Sequence, residues 1–171
     1  FMQPAYRPQY QINYWLPEGT RIEQTSADLE KIEKELRSWP EVKSITTTVG
    51  SGPLRFLLTF TPQQQHSCYG IIIVNTRSPD DVSNLVERTR AYISAHYPDA
   101  DPLVIPFNLS GGPDYEVGAR FSGDDPSVLR ELSEKAKGIM ANHPEAKNVR
   151  DNWRNRISVW SPEFSQVDAH A

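Results

Sequence analysis

Cysteine is almost missing from this chain. Its 171 residues hold one, Cys68, so an intramolecular disulfide and a cysteine metal framework are both excluded. Basic charge is short as well. Eighteen Lys and Arg stand against 22 Asp and Glu, a net charge of −4, and nucleic-acid binding demands a basic surface. No apolar run nears the roughly 20 residues of a membrane-spanning helix. No secretory leader pattern opens the chain. Methionine occurs only as Met2 and Met140. The chain opens on Phe1-Met2-Gln3-Pro4 and closes on Gln166–Ala171 without a stop-like motif, so it reads as a piece of something longer.

What is present is a repeated pattern. Leu16-Pro17-Glu18-Gly19-Thr20 precedes a run with Ile22, Thr25, Leu29, Ile32 and Leu36 at spacings of 3 and 4. That spacing makes one apolar helix face. Thr20 with Glu23 forms a candidate capping box, and Trp39-Pro40 stops the helix. Gly19 and Pro40 recur as Gly123 and Pro144, both at an offset of 104. A weaker echo runs from Ser78-Pro79-Asp80-Asp81 to Tyr97-Pro98-Asp99. Equal helices with matching ends indicate a duplicated βαβ unit.

Read in order, Gln9–Leu16 alternates and predicts a half-buried strand. A helix follows over about 21–38. Val42–Val49 is β-branched and predicts a strand. Gly50-Ser51-Gly52-Pro53 breaks it, and Leu54–Phe60 alternates again as a further strand. Thr61–Ser67 is a polar loop. The run Ile71-Ile72-Ile73-Val74 suits a central strand. A second helix spans about 79–96, with Ser78 as N-cap, Pro79 at its first position and Val82, Leu85, Val86, Thr89, Tyr92 and Ile93 inward. Pro102–Phe107 is the next strand, and Gly111-Gly112-Pro113 a plausible boundary. Tyr115–Phe121 alternates. Asp125 and Pro126 open a third helix with Val128, Leu129, Leu132, Ala136, Ile139 and Met140 inward. Ala146–Asp151 and Arg156–Trp160 pair as a hairpin, and Ser161-Pro162-Glu163 starts another helix.

The fold class this order predicts is α+β: a ferredoxin-like split βαβ sandwich followed by a partial second copy, βαββ. The domains are 1–110 and 113–171.

Chemical motifs are sparse. His66-Ser67-Cys68 offers two metal ligands, and zinc sites need three or four. No base is positioned to activate Cys68. Gly50-Ser51-Gly52 lies between strands, away from the helix N-terminus a phosphate loop needs. Asp80-Asp81 and Asp124-Asp125 fit helix N-termini. Asn108-Leu109-Ser110 is a glycosylation sequon, a pattern that arises often by chance. The tryptophans suit packing. No motif specifies an enzyme, and no cofactor is indicated.

Tyr14-Trp15-Leu16-Pro17-Glu18-Gly19-Thr20 with Thr25, Pro40-Glu41-Val42 and Val49-Gly50-Ser51-Gly52 resemble the large periplasmic loop of resistance-nodulation-division (RND) efflux transporters, the AcrB type. So do Tyr69–Thr76, Gly111-Gly112-Pro113, Phe121-Ser122-Gly123-Asp124 with Leu129, and Asn148-Val149-Arg150-Asp151. The LPEGT form looks most like the loop of the transporter's C-terminal half. The resemblance implies the periplasmic portion of a trimeric, proton-driven inner-membrane pump. Residues 1–110 would form one porter subdomain and 113–171 the opening of a second, with a substrate cleft between them. It implies hydrophobic or amphiphilic small-molecule substrates, a periplasmic adapter protein and an outer-membrane channel. Leu54, Arg55, Phe56 and Leu57 become candidate substrate-facing residues, and Gly50, Gly52 and Pro53 candidate parts of a switch-like loop. The family's heavy-metal branch uses a methionine cluster, which two methionines do not supply. Two other readings stay open: a stand-alone ferredoxin-like regulatory or ligand-binding module, and an acylphosphatase-like hydrolase, which would need a phosphate loop.

Overall fold

The computed structural model describes residues 6–56, 60–108, 115 and 117–162. Among these residues four strands and three helices form, in the order β1 (Tyr6–Trp15), α1 (Ile22–Arg37), β2 (Val42–Val49), β3 (Tyr69–Thr76), α2 (Asp81–His96), β4 (Leu103–Asn108) and α3 (Pro126–Ala141). The sheet is antiparallel, ordered β2-β3-β1-β4. Two βαβ units therefore interlock, each helix crossing over the strand contributed by the other unit. This is the ferredoxin-like split βαβ sandwich.

Strand parity sorts the side chains. Tyr10, Ile12 and Tyr14 of β1 and Ile72 and Val74 of β3 point toward the helices and are buried with Leu29, Ile32, Leu36, Leu85, Val86 and Ile93. The residues between them, Gln9, Gln11, Asn13 and Trp15, lie on the helix-free face. On α1 the buried set is Thr25, Asp28, Leu29, Ile32 and Leu36. Asp28 is tolerated there because Tyr14 Oη donates to it at 3.1 Å and Gln24 Nε2 at 2.9 Å, so its carboxylate is partnered.

Several expected elements differ. Thr20 does not cap α1. Arg21 holds the N-cap position without a side-chain bond, because the Thr20 hydroxyl donates to Pro17 O at 2.6 Å instead. Pro79 precedes α2, whose N-cap is Asp80; the Ser78 hydroxyl accepts from Asp80 N–H at 3.3 Å. Leu54–Phe56 and Phe60 form no strand. Tyr115–Phe121 and the Ala146–Trp160 hairpin also form none among the described residues. Alternation gives strand only where a neighbouring strand takes up the backbone bonds, and an isolated hairpin is marginal in water.

The duplicated helix does form. α1 and α3 have 16 residues each and start at 22 and 126, the same offset of 104. Asp125 caps α3 by accepting from Ser127 N–H at 2.7 Å, with Pro126 at the first position. Its apolar face is not inward, however. No side chain of α3 is buried, and Val128 is 50% and Ile139 74% exposed. Leu57, Leu58, the Gly111-Gly112-Pro113 boundary, Leu109 and Ser110 of the sequon, Met2 and the helix start at Glu163 lie outside the described residues.

Candidate functional site

The helix-free face of the sheet carries a hydrophobic centre and a polar row. The centre is Phe60, Tyr69, Ile71 and Phe107, with Trp15 and Ile73 packed against it. The polar row comes from β1. Gln9 Nε2 donates to Asn75 Oδ1, Asn75 Nδ2 donates to Ser44 Oγ at 2.9 Å, and Tyr69 Oη donates to Asn13 Oδ1 at 2.7 Å. Gln11 lies between them, opposite Ile73 of β3 and Ile105 of β4. It is only 9% exposed, and its Oε1 has no hydrogen-bond partner. A buried acceptor left unpaired is costly, so this oxygen is set to accept from a donor.

The loop between β2 and β3 crosses this face. Its base is zipped by backbone bonds: Gly50 N–H to Tyr69 O at 2.7 Å, His66 N–H to Gly50 O at 2.9 Å, and Gly52 N–H to Gln63 O at 3.0 Å. Gly50 has φ +78, the left-handed region that favours glycine. These bonds fold the loop stem back on itself, and neither Leu54–Phe56 nor Phe60 extends the sheet. Phe56 then stacks on Phe60 with ring centroids 4.9 Å apart and on Phe107 at 5.8 Å. Phe60 and Phe107 lie at 6.3 Å, nearly parallel. Aromatic pairs of this kind contribute about 0.5–1.5 kcal/mol beyond their buried area.

The expected site residues thus divide. Gly50, Gly52 and Pro53 form the half-buried stem of the loop. Leu54 and Arg55 are exposed, and Leu54 is 92% so. Phe56 is brought against Phe60 and Phe107 while staying half-exposed. Leu57 lies outside the described residues. Two members went unassigned from sequence. Phe107 reads as one more strand residue until the chain reversal brings it under the loop. Gln11 was legible by parity, since the polar residues of β1 alternate with Tyr10, Ile12 and Tyr14.

Cys68 is fully buried in the helix-side core of the sandwich. Burial, and then a hydrogen bond to the Glu18 carboxylate, push its thiol above the ordinary range, which makes it a poor nucleophile. Among the described residues, no three His, Cys, Asp or Glu side chains gather as a metal site, and no helix is long and apolar enough to cross a membrane.

No family model and no curated protein matches the chain. A solved structure does. The chain is similar to a heavy metal efflux pump of known X-ray crystal structure, at a TM-score of 0.62 and 16% identity over 86% of its length. The likeness is one of fold. The chain spans 16% of that pump's chain, so the match is to a segment of a much larger protein.

Proposed function

We propose that this chain is part of the periplasmic, substrate-facing portion of an RND-type efflux transporter. The observation that carries this reading lies on the helix-free sheet face: Phe56, half-exposed, stacked on Phe60 and Phe107. Such a surface takes up apolar molecules by burying their area against it. The unpaired Gln11 Oε1 adds an acceptor on the same face, which suits amphiphiles carrying an N–H or O–H donor.

The similarity to an efflux pump and the pattern from Tyr14 to Thr20 support the same assignment. In this reading the substrates are hydrophobic or amphiphilic organic compounds. The chain has only two methionines, and soft metal ions are held by thioether and thiolate ligands, so it belongs with multidrug-type members of the AcrB kind. The whole protein would be a homotrimer in the inner membrane, driven by protons and joined to an adapter protein and an outer-membrane channel. The chain contributes cleft walls and no catalytic group. Residues 113–171 would begin a second porter subdomain. α3 supports this, because Leu129, Leu132, Ala136 and Met140 occupy the same helical positions as the buried face of α1 and, among the described residues, no sheet lies beneath them.

Titration of the chain with Nile red, an apolar fluorescent dye, tests the reading. Saturable binding is expected, weakened about 5- to 10-fold by Phe56→Ala. Cells expressing the gene that encodes the chain should accumulate less ethidium than cells lacking it. Absence of both effects would sink the assignment.

A further inference from the structure

The two edges of the sheet are guarded unequally. β4 forms one edge and β2 the other. On β4, Pro106 lacks a backbone N–H, and the register slips between Tyr6 and Tyr10 of the neighbouring β1. Proline and irregular pairing protect an edge strand from adding another strand. The segment after α3 also makes its contacts toward that side, with Arg154 over the Trp15 ring at 3.9 Å and Arg150 Nη2 3.2 Å from Asp101 Oδ1. β2 has no such guard along most of its length. Its one irregularity, between Val42 and Ser44, lies at its start, beside Lys43. From there Ser44-Ile45-Thr46-Thr47-Thr48-Val49 is regular, uncharged and β-branched after the serine, a composition that favours strand pairing.

The phase of the ladder shows which backbone groups are free. Gly50 N–H donates to Tyr69 O at 2.7 Å. Bonded and unbonded pairs alternate along antiparallel strands, so Thr48, Thr46 and Ser44 turn their backbone groups to β3. Val49, Thr47 and Ile45 turn theirs away from the sheet. Among the described residues no backbone bond reaches those outward groups. Beside them, between strand and helix, runs a groove of about 470 Å³ lined by Thr47 and Val49 of β2 and by Glu30, Glu33, Lys34 and Arg37 of α1. Thr47 Oγ1 donates to Glu33 Oε2 at 2.5 Å, which sets Glu33 level with the middle of the free edge. Leu29 sits against Gly70, the partner of Val49. α1 therefore runs opposite to β2, with Glu30 toward the Val49 end and Arg37 toward the Ile45 end.

We propose that the β2 edge is an interface for a second copy of this chain, β2 pairing antiparallel with β2 about a two-fold axis at Thr47. The surface is self-complementary about that point, as an isologous contact requires. Ile45 stands opposite Val49 of the second copy, and the outward N–H and C=O groups of the two strands bond each other. On the helix side the acidic end of one α1 meets the basic end of the other. Glu30 comes beside Arg37 of the second copy, and Lys34 beside its Glu33. Glu33 is already neutralised in its own helix by Arg37 Nη2 at 2.6 Å, so the two copies of Glu33 can approach the axis. Two four-stranded sheets then join into one whose outer strands are the two guarded copies of β4, and growth stops at the dimer. The pairing rests on this edge and is separate from the transporter reading.

Sedimentation equilibrium from micromolar to submillimolar chain should show a reversible monomer–dimer equilibrium. Amide hydrogen exchange over the same range reads the interface itself. The Ile45, Thr47 and Val49 amides should slow as concentration rises, while Thr46 and Thr48 stay protected throughout. Thr47→Pro removes an outward N–H and no bond to β3, so it should keep the far-ultraviolet circular dichroism and weaken dimerisation about tenfold or more. If Thr47→Pro loses its fold, a charge exchange replaces it. Arg37→Glu should weaken the dimer, and adding Glu30→Arg should restore it, because the two side chains meet only between copies. A chain that stays monomeric overturns the proposal. So does association of any order that leaves the three outward amides unprotected, dimerisation unchanged in a folded Thr47→Pro, or failure of the charge exchange to rescue.

Discussion

Gly52 and Gln63 meet backbone to backbone. A Cβ on Gly52 would lie 2.6 Å from the Gln63 amide nitrogen and 3.0 Å from Pro62 Cα, while the Gly52 amide donates to Gln63 O at 3.0 Å. Neither neighbour is the flexible end of a side chain, so one limb of the loop must move to admit any other residue. Gly52→Ala should cost about 1–3 kcal/mol in a urea melt. It should also open the stretch between Pro53 and His66 to limited proteolysis. An unchanged midpoint with unchanged cleavage would show that the stem is not closed in this way.

The three phenyl rings differ in what they bury. Phe107 is 4% exposed and Phe56 49%. Removing a buried phenylalanine costs about 3–5 kcal/mol, through lost transfer energy and the cavity left behind. Removing a half-exposed one costs about 1 kcal/mol by area. Phe107→Ala should therefore lower stability strongly, whereas Phe56→Ala should leave the fold nearly intact and act on dye binding. Equal losses in a denaturant series would contradict the stacking order.

Helix α1 seats directly on Gly70. A Cβ there would come within 2.2 Å of Leu29 Cδ1 and 3.1 Å of Thr48 O. Gly70→Ala should destabilise by about 1–3 kcal/mol through overpacking, and Leu29→Ala by about 2–5 kcal/mol through a cavity. The double variant should be less damaged than the sum, since each change relieves the other. Strict additivity would mean that the two side chains do not share the space.

Alkali should unfold the sandwich early. Burial pushes the Tyr10 phenol up to about 12 and Tyr97 also to about 12, and raises Tyr14 further, with Asp28 adding to the last. All three are raised above the ordinary value of 10.0. The folded state thus keeps the proton more tightly than the unfolded one. This stabilisation is complete below pH 10.0 and fades as pH rises toward about 12. Tyr10, fully buried, accounts for about 2–3 kcal/mol of it. Phenolate absorbance should rise together with loss of circular dichroism, and Tyr10→Phe should shift the alkaline midpoint upward. Smooth titration of all tyrosines near pH 10.0 in the folded chain would rule this out.

The local code was strong where an element carries its own instructions. Helical spacing located α1 and α3, and the Asp125-Pro126 signal capped α3 as read. The β-branched run bounded β2 at Val42–Val49 without correction. The apolar run through Ile71–Val74 placed β3 in the sheet centre, where both edges are paired. Capping at Thr20 and Ser78 was misread because a hydroxyl has several backbone partners within reach, and chain direction chooses among them.

The sequence alone determined the repeated helix at an offset of 104, the alternation that sends Tyr10, Ile12 and Tyr14 one way and Gln9, Gln11 and Asn13 the other, and so the split βαβ class of the first unit. Those features are periodic, and period is written residue by residue. Tertiary structure decided what distant residues do together. It folded Phe56 and Phe60 onto Phe107 in place of a fifth strand, left the Gln11 oxygen unpaired, and set Arg154 over Trp15 from 139 positions away. Such contacts depend on loop closure and on which surfaces find a partner, and neither is encoded in local spacing.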